Sequence, residues 1–238
     1  MFTPDEHGFT GGSVTGSPGR AQDADQAARV VRAEWRTRQL LSAAARLMER
    51  DGFHGVSMQA LADEASVSVG LIYRYFGSKE DVLLAVIVEV LNAFDATVPA
   101  AVEAAGADPV ERIAAAFRAY CGVINTHRHA AVLTYRESKT LGTRHRDTIK
   151  SLEVQTTAPL RAAIRDGVEA GLLTADVDVE LFALDLILLA HAWALKHWYF
   201  GATLSFETYV TRQTALALRA VVDPAHRDDY RHLLAPRT

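Results

Sequence analysis

At 238 residues and 26.0 kDa, with 49% apolar and 23% charged residues, the chain has the size of one large domain or two small ones and the profile of a globular protein. Its single cysteine, Cys121, excludes an internal disulfide framework and any multi-cysteine zinc or iron–sulfur site within one chain. The net charge of −4 conceals an asymmetry: from Arg29 to Lys79 eight Lys and Arg stand against five Asp and Glu, a balance of +3 that leaves −7 for the remainder. A basic N-terminal module on an acidic body is a charge distribution suited to docking on phosphate.

Residues 1–27 are rich in Gly, Ser, Thr and Asp with no sustained apolar period, which predicts a poorly ordered arm. No hydrophobic signal core occurs in that region. The longest apolar stretch, Leu181–Leu195, contains Asp185 and His191 and is shorter than the ~20 residues of a bilayer span. A cytoplasmic location with no membrane partner is expected.

From there on the apolar residues recur with helical period. Leu40, Ala44, Leu47 and Met48 form one stripe, Leu83, Val86, Ile87, Val90 and Phe94 a second, Ile113, Phe117, Tyr120 and Ile124 a third. Alternating segments flanked by turn signals are missing, so the expected fold class is all-α. Gly52 and Gly55 bracket a turn, Ser57 and Ser78 are helix caps, and Glu80 and Asp81 suit a first turn. Pro99, followed by Gly106 to Pro109, is expected to end the long helix, and Gly201 the apolar helix around Trp193. Residues 224–238, with Pro224 and Pro236, read as a short tail.

The informative stretch is Arg38 to Asp81, and residues 28–80 are expected to form one N-terminal domain. A helix ending near Asp51 is followed by a short helix over Ser57–Ala65, a tight turn at Ser66-Val67 and a second short helix over Ser68–Phe76, which is a helix-turn-helix. Ala62 and Ala65 are small where the helices cross; Val56, Leu61, Val67 and Ile72 supply a core, with Tyr75 and Phe76 also expected inside. The second helix presents Ser68, Val69, Gly70, Tyr73 and Arg74, small residues first, so that its N-terminal end can enter a major groove.

These residues resemble the TetR-type bacterial transcriptional regulators. The resemblance runs through Arg38-Gln39-Leu40-Leu41-Ser42-Ala43-Ala44, Gly52-Phe53, Val56-Ser57-Met58, Leu61-Ala62, Ala65 and the unbroken run Val67 to Glu80. It departs at Ser66, where the family usually has Gly; a non-Gly residue in left-handed geometry there costs about 1 kcal/mol. The resemblance implies that Ser57 caps its helix and touches phosphate, that Ser68, Val69 and Gly70 face base edges, that Tyr73 reaches phosphate or a thymine methyl, and that Lys79 binds phosphate. Arg36 and Arg38 become candidates for phosphate or minor-groove contacts, and Arg74 for either DNA or solvent. It further implies that residues 81–223 form an effector-binding and dimerisation domain, and that a homodimer reads a palindromic double-stranded operator.

In the body, Glu180 to Phe200 is apolar nearly all round, which calls for burial on every side. Phe206, Val210, Ala217 and Val221 on the last helix form the expected dimer stripe. Tyr120, Tyr135, Trp193 and Trp198, with Asp185 and His191 in apolar surroundings, are the candidate ligand-binding set. A carboxylate such as Asp185 in that setting needs a partner. Arg128, Arg136, Lys139, Arg144, Arg146 and Lys150 place six cations within 23 residues, either a solvated surface or an anion-binding mouth that includes Arg136 and Lys139. Tyr135 to Leu141 and His191 to Phe200 resemble segments of TetR-type repressors of fatty-acid, lipid or steroid-ring degradation, which implies an acyl-coenzyme A (acyl-CoA) effector.

A multidrug-sensing repressor is the alternative, and it would require Asp185 or Glu137 in the pocket. A metal sensor would recruit His127, His129 and His191, but His127 and His129 lack the i, i+4 spacing of two imidazoles on one helix face. Cys121, in an apolar stripe, is a poor redox switch. With no Gly-rich phosphate loop and no nucleophile elbow, the expectation is no enzyme, no catalytic residue, no metal and no cofactor, a helical thioester enzyme being the remote alternative.

Overall fold

A computed structural model describes residues 18–235, with side chains from residue 35 onward. The chain divides into two units, residues 1–38 and 39–238. In the first, the described backbone is helical from the start of α1 (Pro18–Asp51). Residues 1–17 of the arm expected over 1–27 lie outside the described residues. Residues 18–27 are helical instead, in keeping with the Ala and Gln that dominate them.

In the second unit, the last turns of α1 bury Leu40, Leu41, Ala44, Leu47 and Met48. After the turn at Gly52 (φ +78°) come α2 (Met58–Glu64) and α3 (Val69–Tyr75). Each opens on a serine: Ser57 Oγ accepts from the Ala60 N–H at 3.0 Å and Ser68 Oγ from the Leu71 N–H at 3.2 Å. Between them the Val67 N–H reaches back to Ala62 O (2.9 Å) and the Ser66 N–H to Asp63 O (3.1 Å), a Schellman closure that puts Ser66 at φ +55°. The turn therefore has the left-handed geometry anticipated from the missing glycine.

α4 (Lys79–Ala104) is capped by Ser78, with Glu80 and Asp81 in its first turn. It runs through Pro99 rather than ending there. One intrahelical hydrogen bond is forgone, while Val98 and Val102, both buried, keep the helix packed on either side of the proline. By length and composition α4 could cross a membrane; its apolar face is spent on protein instead, from Val82 to Val102. α5 (Pro109–Thr126), α6 (Arg128–Glu137), a 3-10 turn (Ser138–Thr140), α7 (Thr143–Thr156) and α8 (Ala158–Glu169) follow, then α9 (Val179–Leu195), α10 (His197–Thr203) and α11 (Phe206–Val221). α5 sits at the middle of the body, packed on α4, α8, α9 and α11. Among the described residues there is no strand, only an isolated bridge between Leu173 and Val222. The fold is all-α.

Three expectations change here. The apolar helix breaks at Lys196, not at Gly201, which lies inside α10 with the His197 ring close beside its Cα. On α11, Val210 and Val221 are buried in the chain's own core, with Phe206 and Ala217 packed against it, so the expected dimer stripe faces inward and Leu216 faces out. The expected tail is anchored through a 3-10 turn (Pro224–His226) and α12 (Arg231–Leu234). Tyr230 and Leu234 are buried, and the Tyr230 hydroxyl donates to Asp108 Oδ2 at 2.8 Å.

Ser66→Gly relieves the left-handed strain without touching a packed atom. It should stabilise the fold by about 0.5–1 kcal/mol, a Tm rise of a few degrees in a thermal melt, whereas Ser66→Val should lower Tm.

Candidate nucleic-acid interface and cavity

The short helices leave a contiguous set of exposed groups. Ser57, Ser68, Gly70, Tyr73 and Arg74 all face solvent, while Val69 is partly buried against the core and Ile72 is fully buried beneath it. A Cβ built on Gly70 meets nothing within 4 Å, so the chain's own packing does not require a glycine there. Tyr75, expected inside, is exposed, and the Arg74 guanidinium lies 5.7 Å from its ring centroid; Phe76 alone of that pair packs inward. Arg36 and Arg38 are exposed on α1 in the first unit. Lys79, expected at phosphate, also holds the chain's own loop. Its Nζ donates to Val56 O at 2.7 Å and His54 O at 3.4 Å, and lies 4.6 Å from the Phe53 ring centroid, so the ammonium ties down the loop between α1 and α2.

The body encloses a cavity of about 470 Å³ between α4 and α9. Ile87, Val90, Leu91 and Phe94 line it from α4, Tyr120 and Ile124 from α5, and Ala131, Thr134 and Tyr135 from α6. α7 adds Lys150, Glu153 and Val154, α8 adds Arg161, and α9 adds Leu184, Ile187, Leu188 and His191. A recess of about 320 Å³ shares Thr134, Tyr135, Lys150 and Glu153 with it and adds Ser138, Arg146 and Ile149. Lys150 thus stands at the junction between cavity and recess with Arg146 inside the recess, and Arg161 Nε pairs with Glu180 at 2.9 Å.

Of the candidate ligand residues, Tyr120, Tyr135 and His191 meet at this cavity, and the other five do not. Asp185 is exposed on the outer face of α9, so its carboxylate needs no buried partner. Lys139 is exposed on the 3-10 turn, and Arg136 turns to α1, donating to Glu49 O at 3.3 Å. Trp193 is core: its Nε1–H donates to Asn125 Oδ1 at 2.9 Å and its ring packs on Phe206 and Tyr209. Trp198 is 76% exposed on α10. Of the six-cation cluster only Lys150 and Arg146 reach the cavity or recess. Phe94, Glu153 and Arg161 were missed. Phe94 was visible as part of a core stripe, but the same stripe describes a packed interior and a cavity wall.

Burial sets the ionisation of this lining. The Tyr120 phenol, which donates to Thr156 O, is pushed up to about 12, and the Glu153 carboxyl and Tyr135 phenol are also raised by desolvation. The His191 imidazole is pulled down to about 4 by burial, which outweighs a backbone contact with Ile187, and its buried Nδ1 makes no well-aligned hydrogen bond among the described residues. Such an unmatched buried nitrogen costs about 1–3 kcal/mol. Cys121, buried, is pushed up to about 12, which keeps it a thiol. No three His, Cys, Asp or Glu side chains come together as a metal site among the described residues.

His191 stays neutral in the folded chain while its unfolded counterpart takes up a proton below pH 6.5. The unfolded state therefore binds more protons between about pH 6.5 and 4, and stability is lost as pH falls through that window, by about 3 kcal/mol at its foot. His191→Phe should flatten this part of the stability-versus-pH curve in urea melts and raise stability at neutral pH.

The chain matches the description "Bacterial regulatory proteins, tetR family" over residues 40–86 and "Tetracyclin repressor-like, C-terminal domain" over residues 106–221. It is 38% identical over 177 residues to the HTH-type transcriptional regulator HbdR of Aromatoleum sp. (strain CIB), covering 74% of this chain and 76% of that one. It is 28% identical over 166 residues to the HTH-type transcriptional repressor KstR2 of Mycobacterium tuberculosis, covering 68% and 80%. The solved structure of AibR in complex with isovaleryl coenzyme A and operator DNA has a similar fold, with a TM-score of 0.64 and 24% identity over 75% of this chain and 95% of that one. The exposed face of the α2–α3 pair, the cavity in the body and these matches agree: the chain belongs to the TetR family of bacterial transcriptional regulators and is a DNA-binding protein, not an enzyme.

Proposed function

We propose that the protein is a homodimeric repressor that reads a palindromic operator through α2 and α3 and leaves it when an acyl-CoA thioester enters the cavity, all in the cytoplasm. The observation that carries this reading is the cavity's division of labour. An apolar, ring-lined interior suits an acyl group, and Lys150, where the recess joins it, with Arg146 in the recess, suits the coenzyme's phosphates. They take the role that Arg136 and Lys139 were expected to fill. The AibR complex with isovaleryl coenzyme A supports the same ligand class.

A second copy is the natural cover for the outward face of α9 and its neighbours. Leu181, Leu184 and Leu188 are about half exposed there, as are Tyr199 on α10 and Leu216 on α11. Two subunits joined on this face would present two α3 helices to successive major grooves. α6 offers a route from ligand to DNA. Tyr135 lines the cavity, while on the same helix Arg136 holds the Glu49 carbonyl and His129 pairs with the Glu49 carboxylate. A ligand that favours a different seat for α6 moves the end of α1, and operator affinity falls by its differential affinity for the two states.

Gly70 bears on the DNA half of this reading. A glycine in a helix costs about 0.5–1 kcal/mol against alanine, and nothing within the chain occupies the space beside it. Close approach of DNA accounts for it. Gly70→Ala should therefore raise Tm yet weaken operator binding about tenfold or more in fluorescence anisotropy.

The ligand half is tested by titrating the operator complex, on the gene's own upstream DNA, with a long-chain acyl-CoA and the matching free acid. The thioester should release the DNA and the acid should not. Replacing both Arg146 and Lys150 by Ala should raise the releasing concentration at least tenfold. The Glu153 carboxylate on the cavity lining favours a second reading, a sensor of flat cationic drugs. Release by rhodamine 6G and not by thioester would establish that reading instead.

A further inference from the structure

The positive charge of the N-terminal module is unevenly placed. From Gln39 to Lys79, Arg46, Arg50, Arg74 and Lys79 stand against Glu49, Asp51, Asp63 and Glu64, so the stretch that holds the helix-turn-helix is neutral overall. Two of its cations also sit beside those acids. Arg50 Nε lies 2.8 Å from Asp51 Oδ1, and Arg46 and Arg50 each reach a Glu64 oxygen at 4.0 Å. Lys79 directs its Nζ to two loop carbonyls, and Arg74 is the cation of α3.

The excess of +3 therefore falls on Arg29 to Arg38, where four arginines stand against Glu34. That run belongs to α1 and precedes residues 40–86, the part that matches the family description. Arg29, Arg32 and Arg36 stand at i, i+3 and i+7, which is one face of a helix. Arg36 is exposed, and so is Trp35, at 57%, whose indole N–H can only donate. Ahead of the run, residues 1–28 hold one Arg against four Asp and Glu, so the charge turns positive just before the module.

Binding to phosphate gains affinity with each cation that displaces a counterion from the duplex. A neutral reading module supplies shape and base-edge contacts but little net attraction. We propose that the face of α1 bearing Arg29, Arg32 and Arg36 is a second DNA-binding surface, which grips phosphates flanking the bases that α3 reads. Arg36 stands three residues ahead of Gln39 in the chain, so every copy that docks α3 brings this run with it. The two surfaces divide the work: α2 and α3 select the sequence, and the start of α1 holds the backbone whatever the sequence is.

The test uses the full chain, with Kd read by fluorescence anisotropy on the gene's own upstream DNA and on a random duplex of the same length. Salt is varied from about 50 to about 200 mM, the range over which phosphate contacts weaken most visibly. In the triple variant Arg29→Gln, Arg32→Gln, Arg36→Gln, the slope of log affinity against log salt should flatten by about 2.7 for each subunit bound. Affinity at the low-salt end should fall about tenfold or more on both duplexes alike. The matching triple substitution to Lys keeps the charge and should keep the wild-type slope. Glutamine is a good helix former, and unchanged helicity by circular dichroism reports that each variant is folded. An unchanged slope in the glutamine variant would overturn the proposal, as would a loss confined to the upstream DNA, which marks base reading. A lysine variant as weak as the glutamine one would also overturn it, because a phosphate grip needs charge and not the guanidinium fork. DNA binding through α2 and α3 stands in each of these cases.

Discussion

The burial of α4 is the constraint on which the rest of the chain depends. Its first residue holds the loop between α1 and α2 through Lys79, and its apolar face then runs unbroken from Val82 to Val102. The buried residues of α1, α2 and α3 join those of the body in a single apolar cluster through it. At roughly 25 cal/mol per Å² of apolar surface removed from water, a helix buried along this length carries far more free energy than any cap or ion pair near it. Half-way along that face, Ile87, Val90, Leu91 and Phe94 stop contacting only protein and form a cavity wall. One helix thus serves the module that faces DNA and the chamber behind it, with no linker between them.

What was legible in the sequence is what local chemistry decides. Ser57 and Ser78 cap the helices they were read to cap, because an N-cap is an interaction over three residues and needs no tertiary information; Ser68 caps α3 in the same way. Ser66 is left-handed because the Schellman closure demands it whatever side chain is present. The body was harder. Six cations within 23 residues span a helix, a 3-10 turn and a second helix, and the break at Ser138–Thr140 resets the rotation between them, so that Arg146 and Lys150 reach the recess and cavity while Arg136 and Lys139 do not. Asp185 illustrates a different limit. A helix that is apolar all round reads as buried all round, yet one side of α9 faces outward, and the carboxylate sits on that side. The expected stripe on α11 was real as a stripe; periodicity gives a face and not the identity of what covers it.

The polar groups of the interior follow one rule, with a telling exception. Tyr120, Tyr209 and Trp193 are large, buried and satisfied by a backbone carbonyl or an amide oxygen. Lys79, which another chemistry might have claimed, is likewise satisfied within the chain. Against that economy, two imidazole nitrogens, His191 Nδ1 and His197 Nδ1, are buried with no close hydrogen-bond partner among the described residues.

Leu184 and Leu188 belong to two surfaces at once, the cavity wall and the outward face of α9. In the proposed dimer the same two side chains would touch the guest on one side and the second subunit on the other. Occupancy of one chamber is then felt across the seam, so the two chambers need not fill independently. The protein's response to rising effector concentration can be steeper than the hyperbola of an isolated site, a threshold in place of a dimmer.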